Sequence, residues 1–218
     1  MPGMSAVTIE SITVADPPGA WRDTGFDVDG DSCRVGTVEV KLAGPGAGRG
    51  LVGIALRGLA STELDGLPAR AAKSGQPPEP AATHPNGVVR IDHVVAFTPD
   101  RGRTVAALEA AGLHLRRLRD EPTPAGGGWQ AFFRLGEAIL EVVETPREGR
   151  GAIPPDAPAR LWGLAFLVDS LDDPARLLGD RLSEPRPAVQ PGREIATLRR
   201  DAGLSFGCAF MSPGPGAA

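Results

Sequence analysis

The sequence predicts an α+β protein built from repeated βαβββ modules. Three observations predict it. First, two segments, Ile91–Asp100 (IDHVVAFTPD) and Ala138–Pro146 (AILEVVETP), carry the apolar, β-branched character of strands. Second, the stretch between them, with Val105 and Leu108 on one side and Gly112 at its end, has helical spacing and a helix stop. Third, the same order of elements recurs at a period of about 70 residues, long enough for a paired-module domain and too long for a solenoid repeat.

Val7 to Val14 alternates as a strand, Pro17-Pro18-Gly19 breaks it, and Ala20 to Thr24 reads as one helical turn before Gly25. A turn-rich stretch, Asp27 to Ser32, precedes Arg34-Val35-Gly36-Thr37 and a strand from Val38 to Leu42. Gly44 to Gly50 is glycine-rich but lacks the Lys-Ser/Thr ending and the following helix of a phosphate-cradling loop, so it reads as a connection. Leu51 to Arg57 is a further strand. Ser74 to Gly87, with four prolines, reads as a linker or surface crossing in which His84 is solvated.

The central unit, Val88 to Pro146, adds strands at His114 to Arg119 and Trp129 to Leu135. The latter joins the last strand through Gly136-Glu137, a two-residue hairpin loop with glycine first. After a Gly/Pro-rich connection, Leu161 to Val168 is a strand covered on both faces. Asp173 at N-cap and Pro174 at N1 start a helix with an apolar stripe of Leu177, Leu178 and Leu182. Strands follow at Arg193 to Arg200 and Leu204 to Met211. The implied organisation is residues 1–73 as degenerate N-terminal module(s), 74–87 as linker, 88–213 as paired modules (88–146 and 160–213), and 214–218 as a disordered tail.

Composition narrows the function classes. With 23 basic and 27 acidic residues the net charge is −4, which gives no electrostatic case for nucleic acid or an anionic membrane. Lys41 and Lys73 are the only lysines, and Tyr is absent while Ala, Gly and Pro abound, the bias of a GC-rich bacterial-type genome. Two cysteines, Cys33 and Cys208, cannot make a zinc site alone and read as reduced structural thiols. No apolar run reaches the roughly 20 residues of a membrane span, and the N-terminus lacks the pattern of an export signal, so a cytoplasmic location is expected.

His93 shares a strand face with Ile91, Val95 and Phe97, and Glu141 shares one with Ile139 and Val143. Each is a polar group on a mostly apolar face, where burial demands a partner. The pair reads in three ways: a satisfied histidine, a metal half-site, or an acid/base couple. Glu144 falls on the opposite face, and His114 after the helix end reads as exposed or capping. Asp172 and Asp173 resemble a carboxylate pair but suit helix capping.

The central unit resembles one βαβββ module of the glyoxalase / bleomycin-resistance / extradiol-dioxygenase superfamily, the vicinal-oxygen-chelate (VOC) fold. The resemblance is carried by His93 on the opening strand, Asp100 seven residues later, the helix ending at Gly112, and Ile139-Leu140-Glu141 with Pro146 closing the module. It implies paired modules whose curved mixed sheets form a cup, with metal ligands at the first-strand and last-strand Glu positions of each module. Here those positions give His93 and Glu141. In the last module, setting Ser170 against Asp100 puts Gly163 at the histidine position. Setting Pro213 against Pro146 puts Cys208, or Ala209 with a one-residue gap, at the glutamate position. In the N-terminal module, RVGTVEVKL against RLGEAILEV and SITVADP against VVAFTPD put Ile9 and Lys41 there.

Catalytic zinc sites keep three protein ligands and related iron sites use two His and a carboxylate, so these two, half of the four positions of paired modules, are an incomplete set. The resemblance therefore implies a glyoxalase-like protein that holds a small, largely apolar or aromatic molecule in the cup without a complete metal site. One alternative is a metal-dependent lyase/isomerase or dioxygenase using His93 and Glu141 as ligands or catalytic groups, with Zn, Fe, Ni or Mn; another is a non-catalytic structural or oligomerisation module. Further ligand-binding candidates are Gln130, Trp129 and Arg193, the last because guanidinium suits carboxylates. Gln130, Phe132 and Arg134 lie on one face of their strand and Trp129 and Phe133 on the other; one set faces the cup and the other the helix. The expected partner is a small-molecule ligand; a homodimer is open.

Overall fold

A computed structural model describes residues 6–72, 83–120, 129–146 and 153–214. In chain order these form β1 (Thr8–Val14), α1 (Pro18–Asp23), β2 (Ser32–Val35), β3 (Val38–Leu42), β4 (Leu51–Arg57), β5 (Ala69–Ala71), β6 (Val88–Thr98), α2 (Arg101–Ala110), β7 (His114–Arg119), β8 (Gln130–Leu135), β9 (Ala138–Glu144), β10 (Arg160–Val168), α3 (Asp172–Leu178), β11 (Arg186–Pro187), β12 (Glu194–Thr197) and β13 (Gly207–Met211). The class is α+β, with strand orders β2-β3-β1-β4-β5 and β11-β12-β13-β10-β6-β9-β8-β7. The sheets are mixed: β6 and β9, β10 and β13, and β1 and β3 pair parallel, while β8 pairs antiparallel with both β7 and β9. Most of the segment expected as a linker, and the tail beyond Gly214, lie outside the described residues.

The chain divides into two compact units, and each combines early and late segments. One comprises Met1–Glu10, Gly53–Gln76 and His93–Trp162; the other comprises Ser11–Val52, Pro77–Asp92 and Gly163–Ala218.

In the first unit α2 packs on β7, β8 and β9. Its Leu108 and the following Ala111 are fully buried, as are Val94, Ala96, Ala131, Phe133 and Val142 of the strands. Asp100 caps the helix by accepting from the Arg103 N–H at 2.9 Å, leaving Gly112, at φ 90°, to end it. A polar cluster ties loops to this end. Arg103 Nε donates to Asp65 at 2.6 Å and its Nη atoms to the carbonyls of Pro155 and Ala157, while the buried Thr104 hydroxyl donates to Asp65 at 2.5 Å. The Gly136-Glu137 hairpin forms as expected, with Gly136 at φ 67°.

In the second unit an aromatic core surrounds the fully buried Trp21, 4.6 Å from Phe26 and 6.2 Å from Phe166 by ring centroids. The glycine-rich loop is a connection. It turns through a short 3₁₀ helix (Pro45–Ala47), and its ends are held by Gly44 N–H donating to the Asp16 carbonyl and Gly50 N–H donating to Ser205 Oγ at 2.8 Å.

Three expectations are corrected here. His84 is buried, 5% exposed, because its Nδ1 accepts the Asp27 N–H at 3.0 Å and its ring packs edge-on against Phe26. Asp173 is not the N-cap of α3. The helix starts earlier, at Asp172, whose N–H donates to Ser170 Oγ, while Asp173 accepts from Arg176 at 2.7 Å. Of the leucine stripe, Leu178 and Leu182 are buried but Leu177 is 37% exposed.

Candidate functional site

Strand pairing in the first unit fixes which residues share a face. The registers of β6 with β9, β9 with β8, and β8 with β7 lay twelve residues on one surface in three rows: His93, Ile139, Arg134 and His114; then Val95, Glu141, Phe132 and Arg117; then Phe97, Val143, Gln130 and Arg119. The other surface carries the fully buried residues against α2. This surface is more open. Val95 and Gln130 are buried, His93, Phe97, Ile139, Glu141, Phe132 and Val143 are half-buried, and Arg134, His114 and Arg117 are exposed. Gln130, Phe132 and Arg134 are thus the set that faces away from the helix.

At the centre is a polar chain on an apolar ground. His93 Nε2 lies 3.4 Å from Glu141 Oε2, with side chains only 13% and 15% exposed. Glu141 Oε1 accepts from Gln130 Nε2, and Gln130 Oε1 accepts from Arg119 Nη1 at 3.4 Å. The amide is oriented from both ends: a guanidinium can only donate, so the Gln130 oxygen faces it and the nitrogen faces the carboxylate. The arrangement polarises Glu141 from one side and leaves its second oxygen to the imidazole. An imidazole beside a carboxylate can serve as a general acid/base couple.

Beyond Phe97 the apolar ground continues into Trp162, stacked on Phe97 at 4.8 Å and 42% exposed, with the Arg160 guanidinium 6.0 Å from the Phe97 ring.

The other sequence candidates fall elsewhere. Trp129 lies under the Arg101 guanidinium, 3.2 Å from its ring centroid, a cation–π contact apart from the His93 face. Arg193 donates through Nη2 to Asp92 at 2.7 Å and through Nε to the Ser212 carbonyl at 2.8 Å, both ion-pair partners being nearly buried. Two of its donors are therefore engaged within the second unit. Glu144 is half-buried and accepts the Arg101 N–H at 3.5 Å. His114 is exposed.

The register also settles the other ligand positions. His93 pairs with Ile139 and Val95 with Glu141. In the parallel pair of β10 and β13, Gly163 pairs with Gly207 and Ala165 with Ala209. With Gly163 at the histidine position, Ala209 holds the glutamate position. Cys208 pairs with Leu164, counterpart of the helix-facing Val94, and burial, with Asp16 nearby, pushes its thiol well above its ordinary range. By strand parity its side chain leaves the sheet on the face opposite that of Gly163 and Ala209.

In the N-terminal module Thr13 pairs with Lys41 and Ser11 with Glu39. Lys41 does match Glu141, but Ser11, not Ile9, matches His93. The Gly36 hairpin fixes β3, and Asp16 lies five residues after Ser11 whereas Asp100 lies seven after His93, so matching the two aspartates displaced the register by two.

No protein-family model matches the chain, and no curated protein matches it. Solved structures do. A variant of 4-hydroxymandelate synthase from Streptomyces coelicolor aligns over 99% of this chain and 95% of its own, at 15% identity and TM-score 0.64. A xylose isomerase-like TIM barrel/4-hydroxyphenylpyruvate dioxygenase fusion protein aligns over 100% of this chain and 52% of its own, at 16% identity and TM-score 0.63. Methylmalonyl-CoA epimerase from Mycobacterium tuberculosis aligns over 62% and 93%, at 19% identity and TM-score 0.48. The chain has the vicinal-oxygen-chelate fold.

Proteins of that fold often use a metal, which needs a set of converging donors. Among the described residues no group of three or more His, Cys, Asp or Glu side chains could hold an ion. His93 and Glu141 are two donors, and the amide that reaches Glu141 presents its nitrogen. The set does not fit a three-ligand centre. Among the described residues no helix is long and apolar enough to cross a membrane.

The sequence reading missed Arg117, Arg119 and the stacked Trp162. Counting by twos from His114 leads to Arg116 and Leu118. A β-bulge between Leu115 and Arg117 shifts the count and turns Arg117 and Arg119 to the face of His93 and Glu141.

Proposed function

We propose that this chain is a glyoxalase-like protein that binds a small, largely apolar or aromatic molecule on the His93–Glu141 face, without a complete metal site of its own. The observation that carries the proposal is the composition of that face. Val95, Phe97, Phe132, Ile139 and Val143 form an apolar bed that is only partly covered, and a single connected polar chain, His93–Glu141–Gln130–Arg119, is set into it. Apolar lining with a few convergent polar groups is the make-up of small-molecule sites. The polar chain would orient the ligand, and the aromatic pair Phe97 and Trp162 would stack on it.

A second reading has a specific observation behind it. The 3.4 Å approach of His93 to Glu141 suits proton transfer to or from a bound molecule, which would make the protein a lyase or isomerase that uses the pair as acid and base.

Metal content of the purified protein, measured beside His93→Ala, separates these readings from a metal enzyme. The expected result is substoichiometric metal in both samples, with small aromatic molecules raising the melting temperature of the parent more than that of the variant. Near-stoichiometric Zn, Fe, Ni or Mn that only the variant loses would overturn the metal-free reading.

A further inference from the structure

The three rows of the open face are also a charge map. The edge strand β7 holds His114, Arg117 and Arg119, with Arg134 beside them on β8, and Glu141 is the one carboxylate among the twelve residues. This concentration of positive charge stands on a chain whose net charge is −4. Arg117 and Arg134 are exposed, and among the described residues neither has a carboxylate within ion-pair distance. Edge strands carry charge to prevent strand addition, and β7 is an edge. Edge protection works with either sign, however, and here every charged residue of β7 on this face is a cation that the bulge has turned inward to the apolar bed.

The spacing matters as much as the sign. Glu141, Phe132 and Arg117 occupy one row on successive strands. Neighbouring strands lie about 4.8 Å apart, so the arginine column stands about 10 Å from the Glu141 column with a phenyl ring between. A molecule of that length could place an apolar or aromatic body over Phe132, a reacting or recognised group at His93 and Glu141, and an anionic end between Arg117 and Arg134. Guanidinium forks match carboxylate and phosphate oxygens.

We infer that the ligand of this face is an organic anion, an apolar or aromatic body ending in a carboxylate or phosphate, and that Arg117 and Arg134 are its anion-binding residues. The inference rests on the small-molecule reading above and adds the ligand's charge.

Two dyes that differ only by an anionic group test it: anilinonaphthalenesulfonate and its uncharged parent phenylnaphthylamine. Both are titrated by fluorescence against the unmodified protein, the double variant Arg117→Gln/Arg134→Gln, and Arg200→Gln, a surface arginine of the other unit. The anion is expected to bind at least about tenfold more tightly than the parent at low salt, with the preference shrinking as salt rises. The double variant should lose that preference while its affinity for the uncharged dye stays unchanged, and Arg200→Gln should keep it. Equal binding of the two dyes to the unmodified protein, or a preference that survives the double substitution, would overturn the anion inference and leave the small-molecule reading standing. Binding of neither dye would overturn both.

Discussion

Two parallel strand pairs in this molecule share one topology and one register but not one chemistry. In β6 and β9, His93 stands beside Ile139 and Glu141 beside Val95; in β10 and β13, Gly163 stands beside Gly207 and Ala209 beside Ala165. The first pair lifts an imidazole and a carboxylate off the sheet, whereas the second has only Gly163 and Ala209 at the matched positions. The difference goes deeper than residue choice. A Cβ built on Gly163 would lie 2.3 Å from the Gly207 carbonyl oxygen, so the backbones of the second pair have closed into the space a side chain would need. One pair is built to present polar groups and the other to pack.

A side chain placed at Gly163 challenges this closure most severely. Gly163→Ala is expected to cost about 3 kcal/mol, the upper range for overpacking against groups that cannot yield, because the clash is with backbone rather than with a flexible side chain. Urea denaturation midpoints measure it. A cost under about 0.5 kcal/mol would show that the closure is slack and that the second pair could have carried a ligand after all.

The two histidines differ in surroundings as well. His93 sits half-buried on an open face with a carboxylate 3.4 Å away, and His84 is buried in the second unit. Burial lowers the His84 pKa below its ordinary value, outweighing the Arg34 backbone and Asp27, which favour the charged form. The unfolded chain then binds a proton more readily than the folded one. The His84 contribution is therefore fully present above about pH 6.5, the unfolded value, and is lost as pH falls below it, until the folded pKa is passed. Stability measured near pH 8, 6.5 and 5 should decline toward acid, and His84→Gln should flatten that part of the profile. An unchanged slope in the variant would assign the acid sensitivity to other groups.

Most of the fold was legible because it rests on local signals. Alternation marked β1, apolar and β-branched runs marked β3, β4, β6, β9 and β10, and Gly136 marked its hairpin at positive φ. The placement of His93 and Glu141 was legible for the same reason, since strand parity alone puts each on an apolar face. What escaped depends on cross-strand registration. The bulge at Leu115/Arg117 leaves no sure mark in His-Leu-Arg-Arg-Leu-Arg, yet it decides which arginines share the face of His93 and Glu141. The offset of Ser11 from Ile9, and the choice between Cys208 and Ala209, likewise follow from which strands are hydrogen-bonded at which residue. His84 looked exposed because its neighbours are prolines; a tertiary hydrogen bond to Asp27 buries it.

The smallest expected effect is also the most discriminating. If the polar groups of β6 and β9 serve a ligand rather than the fold, removing the Glu141 charge should barely change stability. Glu141→Gln keeps the shape and can still accept from Gln130, so the change should stay within about 1 kcal/mol, the net worth of one hydrogen bond. The same substitution removes the one carboxylate from a face with three arginines, and the sulfonate dye should bind about two- to threefold more tightly as that repulsion, screened by water, disappears. Differential scanning fluorimetry and dye titration read both quantities from one preparation. A large loss of stability with no gain in anion binding would mean that Glu141 holds the sheet together, and the open face would then differ from the closed one in structure only.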